Sequence, residues 1–377
     1  MEAIVVGGCG QVSRQRILPA LKALAGEHLL SVRHVVDVRP SEQAHALLEG
    51  LLPAGGRYHR IAAAPGELGR LLQEEGLGGH PVIVATPTPW HADHLCAALD
   101  ASCPVALEKP LAATLQALAS MDARLARRDA TLLFPLGYYL IEKGLPLLAL
   151  ARRGALSPVQ LACLQGLEVE AWATLRTKLG RVVSVTGVLR EGPDPRSWVL
   201  ADDAGGHTLE TFSHLVAVTL PWIARLELRQ AVLGSCPTVA AGRTESLMYA
   251  EFDGPQGERV VLGCQKWSPA DAVQRWLRVD CEYGQALMDF DTQVLTVRFG
   301  AHETRAGMRP GLAKYEPQLR MFAEKIARPG LPTEYALAAE SVRLALAVRR
   351  AGLVDGLYEH PAHWLDQRIH GRGEAAS

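Results

Sequence analysis

The stretch Val5–Leu21 reads VVGGCGQVSRQRILPAL and decides the first part of the fold. A short apolar run ends in glycines, and one residue separates Gly8 from Gly10. This spacing is typical of the turn between a first strand and a helix in dinucleotide-binding folds. There one glycine permits a tight turn and the next lets the backbone approach a pyrophosphate. The third glycine of that pattern is replaced by Ser13, a small residue at the position where the helix packs on the strand.

The helix that follows is expected to begin near Val12 and to leave backbone N–H groups unpaired at its N-terminus. Gln11 and Val12 supply the first of these groups. Together with Gly8 and Gly10 they form a candidate phosphate-binding loop, because free N–H groups and the partial positive charge of a helix N-terminus attract anions.

Two residues at the end of the second predicted strand bear on the choice of dinucleotide. Asp37 stands where an acid hydrogen-bonds the ribose hydroxyls of NAD. Arg39, two residues later, is placed to face the 2′-phosphate of NADP instead. Both cofactors stay open, and NAD is slightly favoured.

Apolar strands without alternation, separated by helical segments, continue to about residue 137 and indicate a parallel sheet covered on both faces. Longer, partly alternating strands follow, among them Val159–Leu167, and predict a large, mostly antiparallel sheet. We therefore expect an α/β chain with an NAD(P)-binding Rossmann domain over 1–137 and an α+β domain for substrate binding and oligomerisation over 138–377.

Composition excludes several classes of function. The net charge is −1, with 39 basic and 40 acidic residues, which argues against a nucleic-acid partner. No run of about twenty uncharged apolar residues predicts a membrane span, and the N-terminus lacks the pattern of a secretory signal, so a cytoplasmic location is expected. The seven cysteines are scattered without a metal-ligand spacing, and no metal site is predicted.

Two later segments carry a more specific pattern, namely VIVATPTPWHADHLCAAL at Val82–Leu99 and PVALEKPLAAT at Pro104–Thr114. In each, a buried strand ends in polar residues that would lie at the carboxyl edge of the sheet. Those residues are Thr86, Pro87, His91, Glu108 and Lys109. The pattern resembles the glucose–fructose oxidoreductase / inositol dehydrogenase (Gfo/Idh/MocA) family, of which a Glu-Lys-Pro tripeptide at this place is a hallmark.

A third segment, DDAGGHTLETFSHLVAV at Asp202–Val218, extends the resemblance. The family carries a glycine pair and then an Asp and a His four residues apart on one helix. Here Glu210 stands in place of that Asp, and His214 follows at the matching distance. The spacing puts both side chains on one helical face. Glutamate keeps the charge but moves the carboxylate by one methylene.

The resemblance implies a role for each of these residues. His214 is the proton donor or acceptor, Lys109 hydrogen-bonds the reacting oxygen and the nicotinamide ribose, and Glu210 binds substrate hydroxyls. Histidine suits this task because its unperturbed pKa lies near about 6.5. By the same resemblance, Glu108, His91, Thr86 and Pro87 border the cofactor, and Trp198 borders the substrate. Tyr139 lies in GYYLIEK, which is similar to a substrate-binding stretch of glucose-6-phosphate dehydrogenases, although packing explains it equally well.

The expected activity is an NAD(P)-dependent oxidoreductase that interconverts a secondary alcohol and a ketone on a sugar, amino sugar or cyclitol. Reduction of a C=N bond on the same fold and a non-catalytic nicotinamide-binding protein are the alternatives. The partners implied are a polyol-like small molecule and, from the resemblance, further copies of the chain in a homodimer or homotetramer.

Overall fold

The computed structural model describes residues 1–127, 133–192, 206–235, 245–266, 268, 272–311, 315–328, 334–355 and 357–358. Trp198 therefore lies outside the described residues. The chain divides into two compact units: Met1–Tyr138 with Pro310–Ala339, and Tyr139–Arg309 with Glu340–Ser377. The first unit differs from the expected domain in that it includes Pro310–Ala339, a segment that the sequence assigns to the second.

The first unit is built on a parallel sheet. Its strands among the described residues are β1 (Glu2–Val6), β2 (Ser31–Asp37), β3 (Arg57–Arg60), β4 (Val82–Val84), β5 (Val105–Leu107) and β6 (Leu133–Pro135). They lie in the order β3-β2-β1-β4-β5-β6. This is the strand order of a doubly wound dinucleotide-binding sheet, so the predicted fold class is confirmed. Every residue of β4 and β5 is buried, as expected for strands covered on both faces.

Among the described residues, helices connect the strands of both units. They are α1 (Leu18–Gly26), α2 (Ser41–Leu48), α3 (Glu67–Glu74), α4 (His91–Asp100), α5 (Leu115–Arg127), α6 (Tyr139–Glu142), α7 (Leu145–Ala151), α8 (Pro158–Ala162), α9 (Val169–Leu179), α10 (Ser213–Thr219), α11 (Glu316–Ala327) and α12 (Tyr335–Asp355). Helix α1 continues a π-helical turn, Ser13–Ile17, and a second such turn, Thr208–Phe212, leads into α10. None of these helices combines the length and apolarity needed to cross a lipid bilayer.

The second unit contains a large mixed sheet. Its described strands are β7 (Leu164–Gln165), β8 (Val182–Arg190), β9 (Glu227–Ser235), β10 (Glu245–Asp253), β11 (Arg259–Gln265), β12 (Gln274–Cys281), β13 (Gly284–Asp289), β14 (Val294–Phe299), β15 (His302–Met308) and β16 (Leu357–Tyr358). They lie in the order β16-β9-β10-β11-β8-β12-β13-β14-β15-β7. Only the pairs β8–β11 and β9–β16 are parallel among these strands, so the prediction of a mostly antiparallel sheet is confirmed.

The strand predicted at Val159–Leu167 is wrong for most of its length. Residues 158–162 form α8, and only Leu164 and Gln165 pair in the sheet. The reason is local, because Ser157 and Gln160 form a capping box, each side chain bonding the other residue's backbone N–H, and Pro158 occupies the first helical position. These signals start a helix whatever the apolar content of the residues that follow.

Candidate active site

The glycine loop sits where the strand order of the first sheet reverses, between β1 and β4. Ala85, just beyond β4, donates its N–H to the carbonyl of Val6 at the end of β1 (2.9 Å). Gly7 follows with φ +78°, and a Cβ there would lie 2.7 Å from the carbonyl oxygen of Ala85. The crevice at such a reversal is where doubly wound sheets bind their ligands.

The other two glycines leave a bare backbone in this loop. A Cβ on Gly8 would lie 2.3 Å from Cγ1 of Val35, and one on Gly10 would lie 3.1 Å from the carbonyl oxygen of Gly7. Neither position can hold a side chain without movement of its neighbour. The loop thus has the cradle that a pyrophosphate needs, and the residues present fit a bound dinucleotide.

Ser13 occupies the helix-packing position without exposing any surface. Its hydroxyl donates to the carbonyl of Gly7 across 2.8 Å, which ties the first turn of the helix to the glycine loop. Arg14 adds a second tie through a 3.1 Å bond from Nε to the carbonyl of Cys9. The wide π-helical turn begins at this serine, and such turns occur often at functional sites.

Asp37 fixes the loop from the end of β2. One carboxylate oxygen accepts the N–H of Cys9 (2.9 Å) and the other accepts the N–H of Arg39 (3.2 Å). The hydroxyl of Tyr58 donates to the carbonyl of Arg39 (2.6 Å). Burial and the charge of Asp37 raise the pKa of the Cys9 thiol to about 11, so this thiol stays protonated near neutral pH.

A cavity of about 130 Å³ opens beside Asp37, between the glycine loop and the turn after β4. The residues around it include Gly7, Asp37, Val38, Ala63, Thr86, Pro87, Trp90 and His94. Sequence reasoning missed Trp90 and His94, although their spacing of four residues would have placed them on one helical face. Their rings stack at 6.0 Å, and His94 Nδ1 bonds the Thr86 hydroxyl at 3.1 Å. Burial lowers the pKa of His94 to about 4, so its imidazole is neutral.

His91 lies buried beneath the same turn and joins two backbone segments. Its Nε2 lies 2.9 Å from the carbonyl oxygen of Thr86, and its Nδ1 lies 2.8 Å from that of Pro110. Burial lowers the pKa of His91, while the carbonyls around it act in the opposite direction. In this arrangement His91 connects the turn after β4 to the Glu-Lys-Pro segment after β5.

In the Glu-Lys-Pro segment, the side chain of Glu108 is buried and that of Lys109 is partly exposed. Glu108 is 6% exposed and accepts the N–H of Lys109 (2.9 Å) and the hydroxyl of Tyr315. Burial and the Glu108 charge raise the pKa of Tyr315 well above its usual value, so the phenol remains a donor. Glu108 therefore holds the backbone of Lys109, whose side chain is only half-buried.

The backbone just after β6 passes close to the carboxylate of Glu108. Gly137 has φ +77°, and a Cβ there would lie 2.6 Å from Oε2 of Glu108. Its N–H donates to the side-chain oxygen of Gln318 (2.8 Å). Tyr315 and Gln318 both come from the Pro310–Ala339 segment, far away in sequence from the strands that they support. No spacing in the sequence pointed to their contact with the Glu-Lys-Pro segment.

In the second unit, the buried helix that begins at the Thr208–Phe212 turn carries the other predicted residues. His214 is 4% exposed, and its Nδ1 accepts the backbone N–H of Tyr139 (3.2 Å). The rings of these two residues stack with centroids 4.2 Å apart. Glu210 lies one turn earlier and is half-buried.

Behind Tyr139 lies a polar cluster that the sequence did not reveal, formed by Tyr139, Glu191, Thr211, Lys266 and Arg275. Glu191 accepts hydrogen bonds from the Tyr139 hydroxyl (3.3 Å) and from Lys266 Nζ (2.5 Å). Burial by itself would raise the pKa of Glu191, but Lys266, His207 and Arg275 hold it well below its usual range. The carboxylate is therefore charged and anchors the Tyr139 ring.

The structure thus brings Gly7, Asp37, Thr86 and Pro87 around one cavity of the first unit. Gly8 and Gly10 follow Gly7 in the glycine loop. In the second unit the structure brings Tyr139 onto His214. Tyr139 is 7% exposed with its hydroxyl bound to Glu191, a position in which its ring packs rather than faces solvent.

We expect Gly8→Ala to weaken NADH binding about 10-fold or more, because the new methyl group overlaps Val35 and pushes the loop from its place. Val35→Ala removes the atom that it meets. For the double variant, we expect the loss in free energy of unfolding to be about 1 kcal/mol smaller than the sum of the losses in the two single variants. The same should hold for the free energy of NADH binding. Thermal unfolding and nicotinamide fluorescence titration measure both quantities.

Gly26→Ala is the matched control, because a Cβ there meets no atom within 4 Å. It should leave NADH affinity unchanged. Strict additivity of Gly8→Ala and Val35→Ala would show that the predicted overlap does not set the position of the loop.

Comparison with known proteins agrees with this geometry. Residues 2–135 match the model of an oxidoreductase family with an NAD-binding Rossmann fold. A comparison with curated protein sequences finds no match. Among solved structures, a levoglucosan dehydrogenase in complex with NADH and levoglucosan is similar, with TM-score 0.72, 15% identity, and 94% of this chain and 98% of that chain covered.

Two further structures share the fold. One is a 3-ketoreductase from Actinomadura kijaniata in complex with TDP-benzene and NADP, with TM-score 0.67, 20% identity and coverage of 95% and 98%. The other is a UDP-N-acetylglucosamine 3-dehydrogenase from Acidithiobacillus ferrooxidans, with TM-score 0.65, 16% identity and coverage of 93% and 97%. Residues 2–135 are thus similar to the NAD-binding Rossmann domain of the Gfo/Idh/MocA oxidoreductase family, and the chain shares its fold with these three structures.

Proposed function

We propose that this protein is an oxidoreductase that interconverts a secondary alcohol and a ketone on a sugar, amino sugar or cyclitol. The observation that carries the proposal is the position of Lys109, a partly exposed cation at the carboxyl edge of the nucleotide-binding sheet. Its neighbour Glu108 is turned inwards and engaged by the Lys109 N–H and by Tyr315. A cation held in this way can stabilise the negative charge that develops on an oxygen during the reaction.

The cofactor that we assign is a nicotinamide dinucleotide, which supplies or accepts the hydride. Gly8 and Gly10 would let the pyrophosphate approach the bare backbone, and the N–H groups of Gln11 and Val12 at the start of the helix would donate to it. Asp37 would take the adenosine ribose.

The remaining roles follow the family resemblance. Lys109 and His214 provide the acid–base assistance, and Glu210 binds substrate hydroxyls. We further propose that the protein acts in the cytoplasm as a homodimer or homotetramer. Two of the similar structures, the levoglucosan dehydrogenase and the UDP-N-acetylglucosamine 3-dehydrogenase, are named for carbohydrate substrates, which supports the substrate class.

We expect NADH to bind at least about 10-fold more tightly than NADPH, a difference of about 1.4 kcal/mol. The buried carboxylate of Asp37 is held by two backbone N–H groups, so it cannot swing away from a 2′-phosphate, whose charge it repels. Arg39 offsets part of this repulsion, since its Nε lies 4.0 Å from the same carboxylate. Arg39→Ala should therefore weaken NADPH binding more than NADH binding, as measured by nicotinamide fluorescence.

If neither NADH nor NADPH binds at millimolar concentration, the proposed function is wrong. If they do bind, turnover should be measured on a panel of sugars, amino sugars, cyclitols and the corresponding ketones, with cyclic imines as the comparison. Turnover of imines alone would replace the proposed substrate class by C=N compounds.

A further inference from the structure

The hydrogen bonding of His214 determines which of its ring nitrogens carries the proton. The backbone N–H of Tyr139 donates to Nδ1 of His214. A ring nitrogen that accepts a hydrogen bond carries no proton, and a neutral imidazole has one proton in all. The proton of neutral His214 is therefore on Nε2.

Contacts of Tyr139 hold the His214 ring in this orientation. Tyr139 is the first residue of α6, and the first N–H groups of a helix have no partner within it, so Nδ1 satisfies one of them. The Tyr139 ring stacks on the imidazole at an interplanar angle of 20°. Its hydroxyl is bound by Glu191, which Lys266 holds in turn. A half-turn of the imidazole would remove the acceptor from the Tyr139 N–H.

The tautomer limits what His214 can do chemically. Nε2 can accept a proton only if the neutral ring carries its own proton on Nδ1. In that tautomer the Nδ1–H group would point at the N–H of Tyr139, and two donors would face each other without an acceptor. To give up the Nε2 proton, the neutral ring would have to become an imidazolate anion, which is not accessible near neutral pH. What remains is a fixed N–H donor, the kind of group that stabilises negative charge on an oxygen.

We propose that Tyr139 holds His214 as the neutral Nε2–H tautomer, so that His214 donates a hydrogen bond to the reacting oxygen and does not exchange its proton. This proposal leaves proton transfer to Lys109 alone and replaces the acid–base role that the family resemblance gives to His214. The role of the reacting oxygen rests on the proposed function. In ketone reduction the ammonium group of Lys109 would give the oxygen its proton while the carbonyl carbon takes hydride from a bound nicotinamide. Alcohol oxidation would reverse both transfers.

The tautomer can be observed directly. Full-length protein labelled with ¹⁵N-histidine is examined by long-range ¹H–¹⁵N correlation at pH 7.5, and the His214 signals are identified by their loss in His214→Gln. We expect a protonated Nε2 and a bare Nδ1. A proton on Nδ1, alone or together with one on Nε2, overturns the proposal. This measurement needs no turnover, so it decides the tautomer even if the proposed function fails.

Turnover of two variants tests the role of the donor. The amide of His214→Gln can present an N–H group but cannot titrate, whereas His214→Ala presents none. We expect His214→Gln to keep kcat within about 10-fold of the parent, and His214→Ala to lose about 100-fold. Equal losses in both variants would contradict a donor role. His302→Gln, at an exposed histidine of β15, is the control and should match the parent.

Discussion

Lys109→Ala is expected to lower kcat about 100-fold or more while the fold and most of the NADH affinity survive. Lys109 is the cation that we assign to the reacting oxygen, and its backbone N–H donates to the Glu108 carboxylate. Truncation removes the charge and leaves this backbone hydrogen bond in place. Steady-state kinetics, thermal unfolding and an NADH titration separate the three effects.

Two comparisons sharpen this result. Methylamine added to Lys109→Ala should restore part of the turnover, because a small ammonium ion can enter the space left by the side chain. Lys22→Ala, at an exposed lysine of α1, should match the parent in all three measurements. Turnover within a few fold of the parent in Lys109→Ala would remove this residue from the mechanism.

The second large effect is expected on stability, at the buried pair of Glu191 and Lys266. Lys266 is 5% exposed and its Nζ lies 2.5 Å from the Glu191 carboxylate. Removing one member of such a pair leaves a buried charge without its partner, which costs about 3 kcal/mol. We expect Lys266→Met and Glu191→Gln each to lower the free energy of unfolding by about this amount, and the double variant to lose less than their sum.

Denaturant unfolding of the four proteins measures this coupling. Arg225→Met is the control, because Arg225 and its partner Glu227 are 76% and 68% exposed, and surface pairs contribute little. It should change the free energy of unfolding by less than about 0.5 kcal/mol. Additive losses at Glu191 and Lys266 would mean that the two side chains do not act as a pair.

The pair of Glu191 and Lys266 also predicts how the free energy of unfolding depends on pH. The pKa of Glu191 is held below its usual value in the folded chain, so between that lowered pKa and about 4.3 the unfolded chain binds more protons. The stability that this carboxylate contributes is therefore present above about pH 4.3 and is lost as the pH falls below it. In Lys266→Met the pKa of Glu191 rises, and the loss between about pH 5 and 3 should be shallower.

The first unit could be predicted well because its signals are local. Apolar runs that end at Gly7, Asp37 and Glu108 predict strands whose carboxyl ends meet at one sheet edge. In the structure these strands end at Val6, Asp37 and Leu107, each within one residue of the predicted end. Parallel strands buried on both faces carry such continuous apolar runs, so few alternatives compete.

The second unit was harder to predict because its strands share their apolar character with buried helices. The stretch after Ser157 became a helix through its capping residues, and β10 is buried along nearly its whole length, so it shows no alternation. Such a run cannot be told from a buried helix by periodicity alone. Pairing in the large sheet decided β10, whereas local capping decided the stretch after Ser157.

The sequence by itself determined the nucleotide-binding fold, the glycine loop, and the identity of Lys109 and His214 as candidate catalytic groups. The fold and the loop follow from residue types at short, fixed spacings, and the roles of Lys109 and His214 are what the family resemblance of these motifs implies. Only the tertiary structure showed that Tyr315 holds Glu108, that Asp37 holds the glycine loop, and that Tyr139 and Glu191 set the state of His214. Each of these contacts joins segments far apart in the chain, and a hydrogen bond between distant segments forms only when folding brings its donor and acceptor together.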